Sequence, residues 1–288
     1  MSGGMLASAE HLAERITGAI NSRLALRRQN REMAAKFRPG DVMFVGHPKS
    51  GNTWMAYMLA VLHQRHDPET VTTATVGQFI PVIHARDADV DSFPKLATPR
   101  IFRNEGPQFP DVYPRTLYIV RDPRSALVSY YHHCKHDTGN QAWSLDDFVD
   151  EMLEYGCIRS LEPFLVRWDR QVLDWHERKS RQAVHIVRYE DLKSDCLAEL
   201  HKVASFCGLP TESTLLETAV RKGSFSEMRK QEVEHGAEAF PGEKGSRGFF
   251  MRKGEVEGWR DELSARSLKR IEEAFAPAME LTGYKRAS

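Results

Sequence analysis

Residues 41–53, with the sequence DVMFVGHPKSGNT, decide the fold of this chain of 288 residues. The stretch opens with an apolar, β-branched run that is typical of a buried strand, and it leads into an apolar helix that ends near His63. The connecting loop, residues 47–52, contains Gly51. A glycine-containing loop between a strand and a helix can direct backbone N–H groups, together with the positive end of the helix dipole, at an anion. The stretch therefore predicts a strand, an anion-binding loop and a helix.

Two further apolar runs repeat the order of strand and then helix. Residues 116–120 (TLYIV) precede a predicted helix over 123–135, and residues 184–189 (VHIVRY) precede helical residues 191–207. Unbroken apolar runs, each followed by a helix, indicate parallel strands that are covered on both faces. We therefore expect an α/β, doubly wound fold. It has a mainly parallel sheet with helices on both faces, and its strand-to-helix loops carry the ligand site.

The remaining segments complete one predicted domain over residues 1–288. Within residues 1–40, apolar residues recur mostly at four-residue steps and predict an N-terminal amphipathic helix. Such a helix packs on the domain or on a second subunit, or else contacts a membrane. Residues 66–114 are rich in Pro and Asp, and residues 231–248 are rich in Gly, Glu and Lys. We expect both to be loops over the site, the second of them a lid.

The charges of the chain are balanced, with 40 Lys and Arg residues against 40 Asp and Glu residues. This balance argues against a nucleic-acid binder, which needs a basic excess, so any anion site must be a local cluster. The four cysteines form no C-x-x-C pair, which predicts reduced thiols and a cytoplasmic setting. No secretory signal is recognisable, and the longest apolar run, residues 55–62, is far too short for a transmembrane segment.

The loop after the first strand has the glycine spacing of a nucleoside triphosphate P-loop, with Gly46 and Gly51 at its ends. In that motif a lysine and then a hydroxyl residue follow the second glycine and serve the γ-phosphate and magnesium. Here Asn52 follows the second glycine, and Lys49 comes two residues before it. A P-loop kinase or NTPase, with Asp122 after the second strand as the metal ligand, remains an alternative that magnesium-dependent ATP hydrolysis would identify.

Five motifs, in sequence order, resemble those of the cytosolic sulfotransferases, which use 3′-phosphoadenosine 5′-phosphosulfate (PAPS). They are PKSGNTW at 48–54, RDPRSALVSYY at 121–131, YEDL at 189–192, SFSEM at 224–228, and RKG at 252–254 with Trp259 behind it. The first is similar to the family's 5′-phosphosulfate loop P-K-S-G-T-T-W, with asparagine in place of one threonine. The resemblance covers about residues 41–285 and identifies the chain as similar to this family, as a bacterial-like member.

The resemblance implies where the donor binds. Arg121, Ser129, Arg252 and the Gly254 backbone are expected at the 3′-phosphate, where charge-assisted hydrogen bonds are strong. The rings of Trp54 and Phe225 are expected to stack on adenine, although each ring alone also fits a core position. The residues expected to hold PAPS are Lys49, Ser50, Gly51, Asn52, Thr53, Trp54, Arg121, Ser129, Tyr189, Ser224, Phe225, Met228, Arg252, Lys253 and Gly254.

Three residues are candidates for the chemistry: Lys49, Ser129 and Glu105. Lys49 is expected near the bridging oxygen of the leaving 3′,5′-diphosphoadenosine (PAP), and the reaction requires no metal by this logic. The family places a histidine base in a segment like R-x-x-K-[TS]-H, and the matching stretch here puts Arg103 at the lysine and Glu105 at the histidine. Glu105 is then either the general base or a carboxylate that binds the acceptor, including a cationic one. His84 and His132 are the alternative bases.

The function that follows is transfer of the PAPS sulfuryl group to a hydroxyl or amine of a small-molecule acceptor. The loss of the usual histidine keeps open a catalytically inactive nucleotide-binding module, which would bind PAPS without turnover. The three histidines in 132–136 lack tetrahedral metal-ligand spacing, so no metal site is expected. A homodimer is a further expectation.

Overall fold

The computed structural model describes residue 28 and residues 31–83, 96–106, 110–138, 143–157, 165–235 and 254–287. Its centre is one sheet of four parallel strands in the order β2-β1-β3-β4. The strands are β1 (Val42–Gly46), β2 (Ile101–Asn104), β3 (Arg115–Val120) and β4 (Val184–Arg188). Val42 of β1 lies opposite Ile101 on one side and Arg115 on the other, so β1 is an inner strand.

Eleven α-helices surround this sheet in the described part of the chain. They are α1 (Asn52–His63), α2 (Val76–Phe79), α3 (Pro123–Thr138), α4 (Leu145–Tyr155), α5 (Trp168–Arg178), α6 (Tyr189–Ser194), α7 (Cys196–Cys207), α8 (Ser213–Lys222), α9 (Phe225–His235), α10 (Ala265–Ala274) and α11 (Ala276–Thr282). Short 3-10 turns occupy Pro68–Thr70, Pro110–Val112 and Gly258–Asp261. None of the helices among the described residues is long and apolar enough to cross a membrane.

Alternate side chains of β1 point into two separate apolar cores. Val42 and Phe44 pack with α1, α7, α8 and α9 on one face of the sheet. Met43 and Val45 pack with α3, α4, α5, α10 and α11 on the other face. Because successive strand residues face opposite sides, a strand that is apolar throughout must be covered twice. The predicted doubly wound α/β fold is therefore confirmed.

Strand β2 lies inside residues 66–114, where the sequence predicted only a loop. This prediction was wrong because β2 offers four residues, of which Arg103 and Asn104 are polar. Its strand conformation depends on pairing with β1, a partner that the local pattern does not reveal. The pairing matters for function, since it brings the end of β2 beside the loop that follows β1.

Two predicted segments also have different boundaries in the structure. The helix predicted over 191–207 is two helices, separated at Asp195, whose carboxylate accepts a hydrogen bond from the Ala198 N–H (3.1 Å) and so caps α7. The loop predicted over 231–248 does not include residues 231–235, which belong to α9. Gln231 fixes them there: its Nε2 donates to the Tyr57 hydroxyl (2.8 Å) and its Oε1 accepts from the Thr73 N–H (2.9 Å).

Parts of two other predictions fall on segments that the structure does not describe. Residues 28 and 31–36 are helical, in agreement with the predicted N-terminal helix, and the rest of that helix lies outside the described residues. Residues 236–248 of the predicted lid, and Arg252 and Lys253, lie outside them as well.

Candidate active site

The loop between β1 and α1 turns through two residues with left-handed backbone conformation. Lys49 has a φ of 63° and Gly51 a φ of 102°. A β-carbon on Gly51 would lie 2.8 Å from the Tyr189 ring, so this position needs glycine for both its φ and its space. Lys49 adopts the same region with a side chain, which costs about 1–2 kcal/mol. The loop therefore holds the lysine backbone in a strained geometry, and such strain concentrates at functional sites.

His47 opens this loop and is buried. Burial lowers the pKa of His47 to about 4, so its imidazole is neutral near pH 7. The ring contacts Tyr130 edge to face, with 6.3 Å between the ring centres, and Nδ1 lies 3.3 Å from the Pro48 carbonyl oxygen. Nε2 is buried without a hydrogen-bond partner among the described residues. Nothing in the local pattern singled out this histidine, because a histidine before a proline resembles any polar loop residue.

Asn52, the first residue of α1, links the loop to the end of β2. Its Nδ2 lies 3.1 Å from the Gly46 carbonyl oxygen, 3.2 Å from that of His47 and 2.8 Å from Oε1 of Glu105. The side chain is buried, and a β-carbon on Gly46 would come within 2.1 Å of Asn52 Oδ1. The absence of a side chain at Gly46 therefore makes room for this amide.

Glu105 directly follows β2 and is partly exposed. Its backbone oxygen accepts a hydrogen bond from Gln171 Nε2 of α5 (3.0 Å), and its carboxylate accepts the bond from Asn52. Two residues earlier, Arg103 Nη1 lies 3.4 Å from the hydroxyl oxygen of Thr53. The structure therefore brings a carboxylate and a second cation to the anion loop. The sequence match pointed to Arg103, but the site predicted from the sequence did not include it.

Arg121 lies at the end of β3, on the other side of the loop. Its Nη1 donates to the Lys49 carbonyl (2.9 Å), and its Nη2 donates to the Glu255 carbonyl (3.0 Å). The guanidinium also lies over the Tyr189 ring, 4.3 Å from its centre. Arg121 Nε has no partner among the described residues. The predicted phosphate-binding arginine thus joins the lysine loop to the segment at 254–257.

Trp54 and Tyr189 form an aromatic wall beside Arg121. Their ring centres are 5.5 Å apart in an edge-to-face contact, and Trp54 Nε1 donates to the Gly223 carbonyl (2.7 Å). That bond fixes the backbone directly before Ser224 and Phe225, and Phe225 remains 37% exposed. The predicted donor-binding residues Trp54, Tyr189, Ser224 and Phe225 therefore lie in one region.

Two other predicted donor residues lie next to this wall. A β-carbon on Gly254 would lie 2.9 Å from the Phe225 ring, so the backbone there passes close to this ring. Met228 is fully buried in the apolar core under α9, where it packs rather than presents a surface.

Helix α3 carries Ser129, which is partly buried, and is attached to the rest of the site by Ser125 and Arg124. Ser125 Oγ donates to the Val256 carbonyl. Arg124 is buried, pairs with Asp122 (2.6 Å) and with Glu272 (2.5 Å), and lies 4.2 Å from the centre of the Trp259 ring. These contacts place α3 and the 254–257 segment against each other.

The contacts of Asp122 do not favour the P-loop NTPase alternative. Asp122, the residue that a P-loop NTPase would need for magnesium, accepts hydrogen bonds from Arg124 Nε and Nη2 and from the Arg124 N–H. His132 pairs with Glu262 through Nε2 (2.5 Å). No group of three potential metal ligands occurs among the residues that the structure describes.

Comparison with known proteins identifies the family. The sulfotransferase domain family matches residues 39–283. The chain belongs to this family. Human sulfotransferase 1C2 is 26% identical over 261 residues, which is 85% of each chain, and cytosolic sulfotransferase 14 of Arabidopsis thaliana is 27% identical over 81% of this chain and 73% of its own. Mouse sulfotransferase SULT7A1 in complex with PAP has the same fold, with a TM-score of 0.65, 20% identity and 86% of both chains covered.

The sulfotransferase family fixes the reaction class. The protein is a PAPS-dependent sulfotransferase that transfers the sulfuryl group to small acceptors, as the sequence predicted. The two alternative functions, a magnesium-dependent kinase and an inactive nucleotide-binding module, therefore do not match the activity of this family. The match to residues 39–283 covers all five motifs.

Proposed function

We propose that this sulfotransferase uses Glu105 as the general base for an acceptor hydroxyl or amine, with PAPS held across the loop between β1 and α1. The observation that carries the proposal is the contact of the Glu105 carboxylate with Asn52, at the N-terminus of α1. A parallel α/β sheet collects ligands at the carboxyl ends of its strands, and this contact joins two such ends. The carboxylate is therefore next to the anion loop, where the acceptor must approach the sulfur.

The donor would lie with its 5′-phosphosulfate on the loop and its 3′-phosphate near Arg121 and Ser129. Two buried polar atoms of this region, Ser50 Oγ and Arg121 Nε, have no partner among the described residues and fit the oxygens of an anion. Adenine would lie against Trp54 and Phe225. The whole proposed donor set comprises Lys49, Ser50, Gly51, Asn52, Thr53, Trp54, Arg121, Ser129, Tyr189, Ser224, Phe225, Met228, Arg252, Lys253 and Gly254.

In the proposed reaction the acceptor oxygen or nitrogen forms a bond to sulfur while the bond from sulfur to the bridging oxygen of PAPS breaks. The acceptor proton passes to Glu105, and PAP leaves with the electron pair of the broken bond. Lys49 neutralises the charge that develops on the bridging oxygen, and Arg103 supplies a second positive charge beside Thr53. Sulfuryl transfer in this form needs alignment and charge stabilisation.

The proposal is tested by replacing Glu105 with glutamine, which keeps the size and removes the charge. The assay follows sulfur-labelled PAPS with a panel of phenols, alcohols and amines. We expect Glu105→Gln to lower kcat about 10²–10⁴-fold, while the Kd for PAP stays within about twofold. Glu177→Gln, on the exposed side of α5, is the matched control. An unchanged kcat in Glu105→Gln removes Glu105 from catalysis, whereas a raised acceptor KM alone makes it a binding carboxylate for a cationic acceptor.

We propose that the protein works in the cytoplasm. We also propose that it is a bacterial-like member of the family and forms a homodimer. The cysteines are free thiols, at Cys134, Cys157, Cys196 and Cys207. Burial raises the pKa of Cys207 to about 12 and that of Cys196 to about 11, so these two stay protonated and unreactive. Identities of 26–27% to human and plant relatives, one of them named cytosolic, agree with a distant member of the same family.

A further inference from the structure

The orientation of the Asn52 amide is fixed by its surroundings. All three of its neighbours, the carbonyl oxygens of Gly46 and His47 and the carboxylate of Glu105, accept hydrogen bonds and cannot donate. The opposite orientation of the amide would put Oδ1 against three oxygens. Asn52 must therefore present its –NH₂ group to Glu105.

The amide is also held rigidly. Asn52 is 4% exposed, begins α1, and packs against Gly46 at the end of β1. The Nδ2 group has two hydrogens for three acceptors, and the contact with Glu105, at 2.8 Å, is the shortest of the three. A hydrogen bond from a neutral amide to a carboxylate is stronger than one to a carbonyl. The anion loop and the carboxylate are therefore joined through one buried side chain.

We propose that Asn52 is a positioning residue, which holds the Glu105 carboxylate at a fixed place relative to the sulfuryl donor. This inference rests on the proposed role of Glu105. A glutamate side chain has several rotatable bonds, and holding it in one conformation costs conformational entropy. The hydrogen bond from a fixed partner offsets this cost. A displacement of about 1 Å at a reacting group can cost up to a hundredfold in rate. Asn52 thus acts on the acceptor's proton through Glu105, in addition to closing the loop.

Threonine is the substitution that separates these two roles of Asn52. It has a hydroxyl that can still donate to one loop carbonyl, but it is shorter and cannot reach Glu105 from the same backbone position. Asn52→Leu keeps the size and removes every donor, so it abolishes both the contact with the loop carbonyls and the contact with Glu105. The variants are made in the wild-type chain and in the Glu105→Gln chain, which gives a double-mutant cycle.

The assay follows sulfation of 4-nitrophenol at saturating PAPS. If the enzyme does not accept 4-nitrophenol, the assay instead follows hydrolysis of PAPS, with water as the acceptor. We expect Asn52→Thr to lower kcat about tenfold, with KM for PAPS and Kd for PAP changed less than about twofold, because threonine is the residue of the family's own 5′-phosphosulfate loop at this position. In the Glu105→Gln chain the same substitution should cause no further loss. Thermal unfolding of each variant shows that the fold persists.

Each remaining outcome overturns the inference in a recognisable way. If Asn52→Thr lowers kcat equally in both chains, or lowers PAP affinity in step with kcat, Asn52 serves only the donor loop. If Glu105→Gln alone leaves kcat unchanged, the proposed base is wrong and Asn52 positions no catalytic group. A tenfold loss in the wild-type chain that is absent in the Glu105→Gln chain supports the inference, because neither of these two alternatives predicts it.

Discussion

Arg121 is stacked on Tyr189, with the guanidinium carbon 4.3 Å from the centre of the ring, while its terminal nitrogens bind the backbone of Lys49 and Glu255. Desolvated contacts of this kind between arginine and an aromatic ring contribute about 1–2 kcal/mol. The planar guanidinium is thus fixed in direction before any anion arrives. An arginine held in this way is suited to bidentate recognition of a phosphate, for which lysine is a poor replacement.

We therefore expect Arg121→Lys to weaken PAP binding about tenfold or more, and AMP binding little, because only PAP carries the 3′-phosphate. Calorimetry with both nucleotides measures this. Wild-type protein should bind PAP much more tightly than AMP, since a site built to bind the 3′-phosphate rejects a nucleotide that lacks it. Arg181→Lys, on an exposed arginine, is the control. Equal affinity of the wild-type protein for PAP and AMP would exclude a 3′-phosphate site at Arg121.

Lys49 combines a charge with a left-handed backbone, and two substitutions separate these properties. Lys49→Ala and Lys49→Gly both remove the ammonium group and should lower kcat/KM about a hundredfold or more. Glycine adopts a φ of 63° without strain, so the free energy of unfolding should be about 1 kcal/mol larger for Lys49→Gly than for Lys49→Ala. Lys49→Gly should therefore unfold at the higher temperature. Steady-state kinetics and thermal unfolding measure the two effects. Turnover like that of the wild type in Lys49→Ala would show that the ammonium group is not used.

Stability should fall in acid because of His47. Burial lowers its folded-state pKa to about 4, whereas the unfolded chain takes up the proton near pH 6.5. Between these values the unfolded state binds more protons, so the free energy of unfolding decreases as pH falls from about 6.5 to 4, by about 3 kcal/mol in total. Above pH 7 His47 contributes no pH dependence.

Replacing His47 with phenylalanine tests this directly. Urea unfolding at pH 7, 6, 5 and 4 should show a shallower decline for His47→Phe than for the wild-type chain. His185, whose pKa burial also lowers, is the comparison, and His185→Phe should change the slope less because His185 is only partly buried. Parallel slopes for His47→Phe and the wild type would mean that His47 is not buried in solution.

The buried arginine network under α3 should be a large source of stability. Arg124 is 4% exposed and pairs with two buried carboxylates, so Arg124→Met removes a cation that both Asp122 and Glu272 contact. We expect a loss of about 3–5 kcal/mol in the free energy of unfolding. Arg266→Met removes an exposed pair with Asp150 and should cost less than about 1 kcal/mol. Equal losses in the two variants would show that the Arg124 network contributes nothing through its burial.

The fold was predictable where the pattern was local. Strands β1, β3 and β4 are rich in apolar and β-branched residues, and each was predicted within about one residue of its observed bounds. Strand β2 was not predicted, because two apolar residues followed by Arg103 and Asn104 carry no strand period. Its conformation comes from pairing with β1, which is a tertiary effect.

The site shows the same division between local and long-range information. Motif spacing placed Lys49, Arg121 and Tyr189 at or just after the ends of three strands, and the structure brings these strand ends together. Spacing carried no information about the bond between Asn52 and Glu105, which lie 53 residues apart in the sequence. Motif spacing also could not show that His47 is buried, since His47 packs against Tyr130, which lies on a helix distant in the sequence.

The strand order has a consequence for synthesis on the ribosome. Strand β1 is made first, but its neighbours are β2 and β3, so its edges have no partner until Ile101 and then Val120 have been translated. Until then the nascent chain exposes β1 and the apolar helix α1 together. Such exposed segments are what chaperones bind and what aggregates most readily. Truncated chains that end before residue 100 should therefore be insoluble, and the anion loop can acquire its final geometry only late in translation.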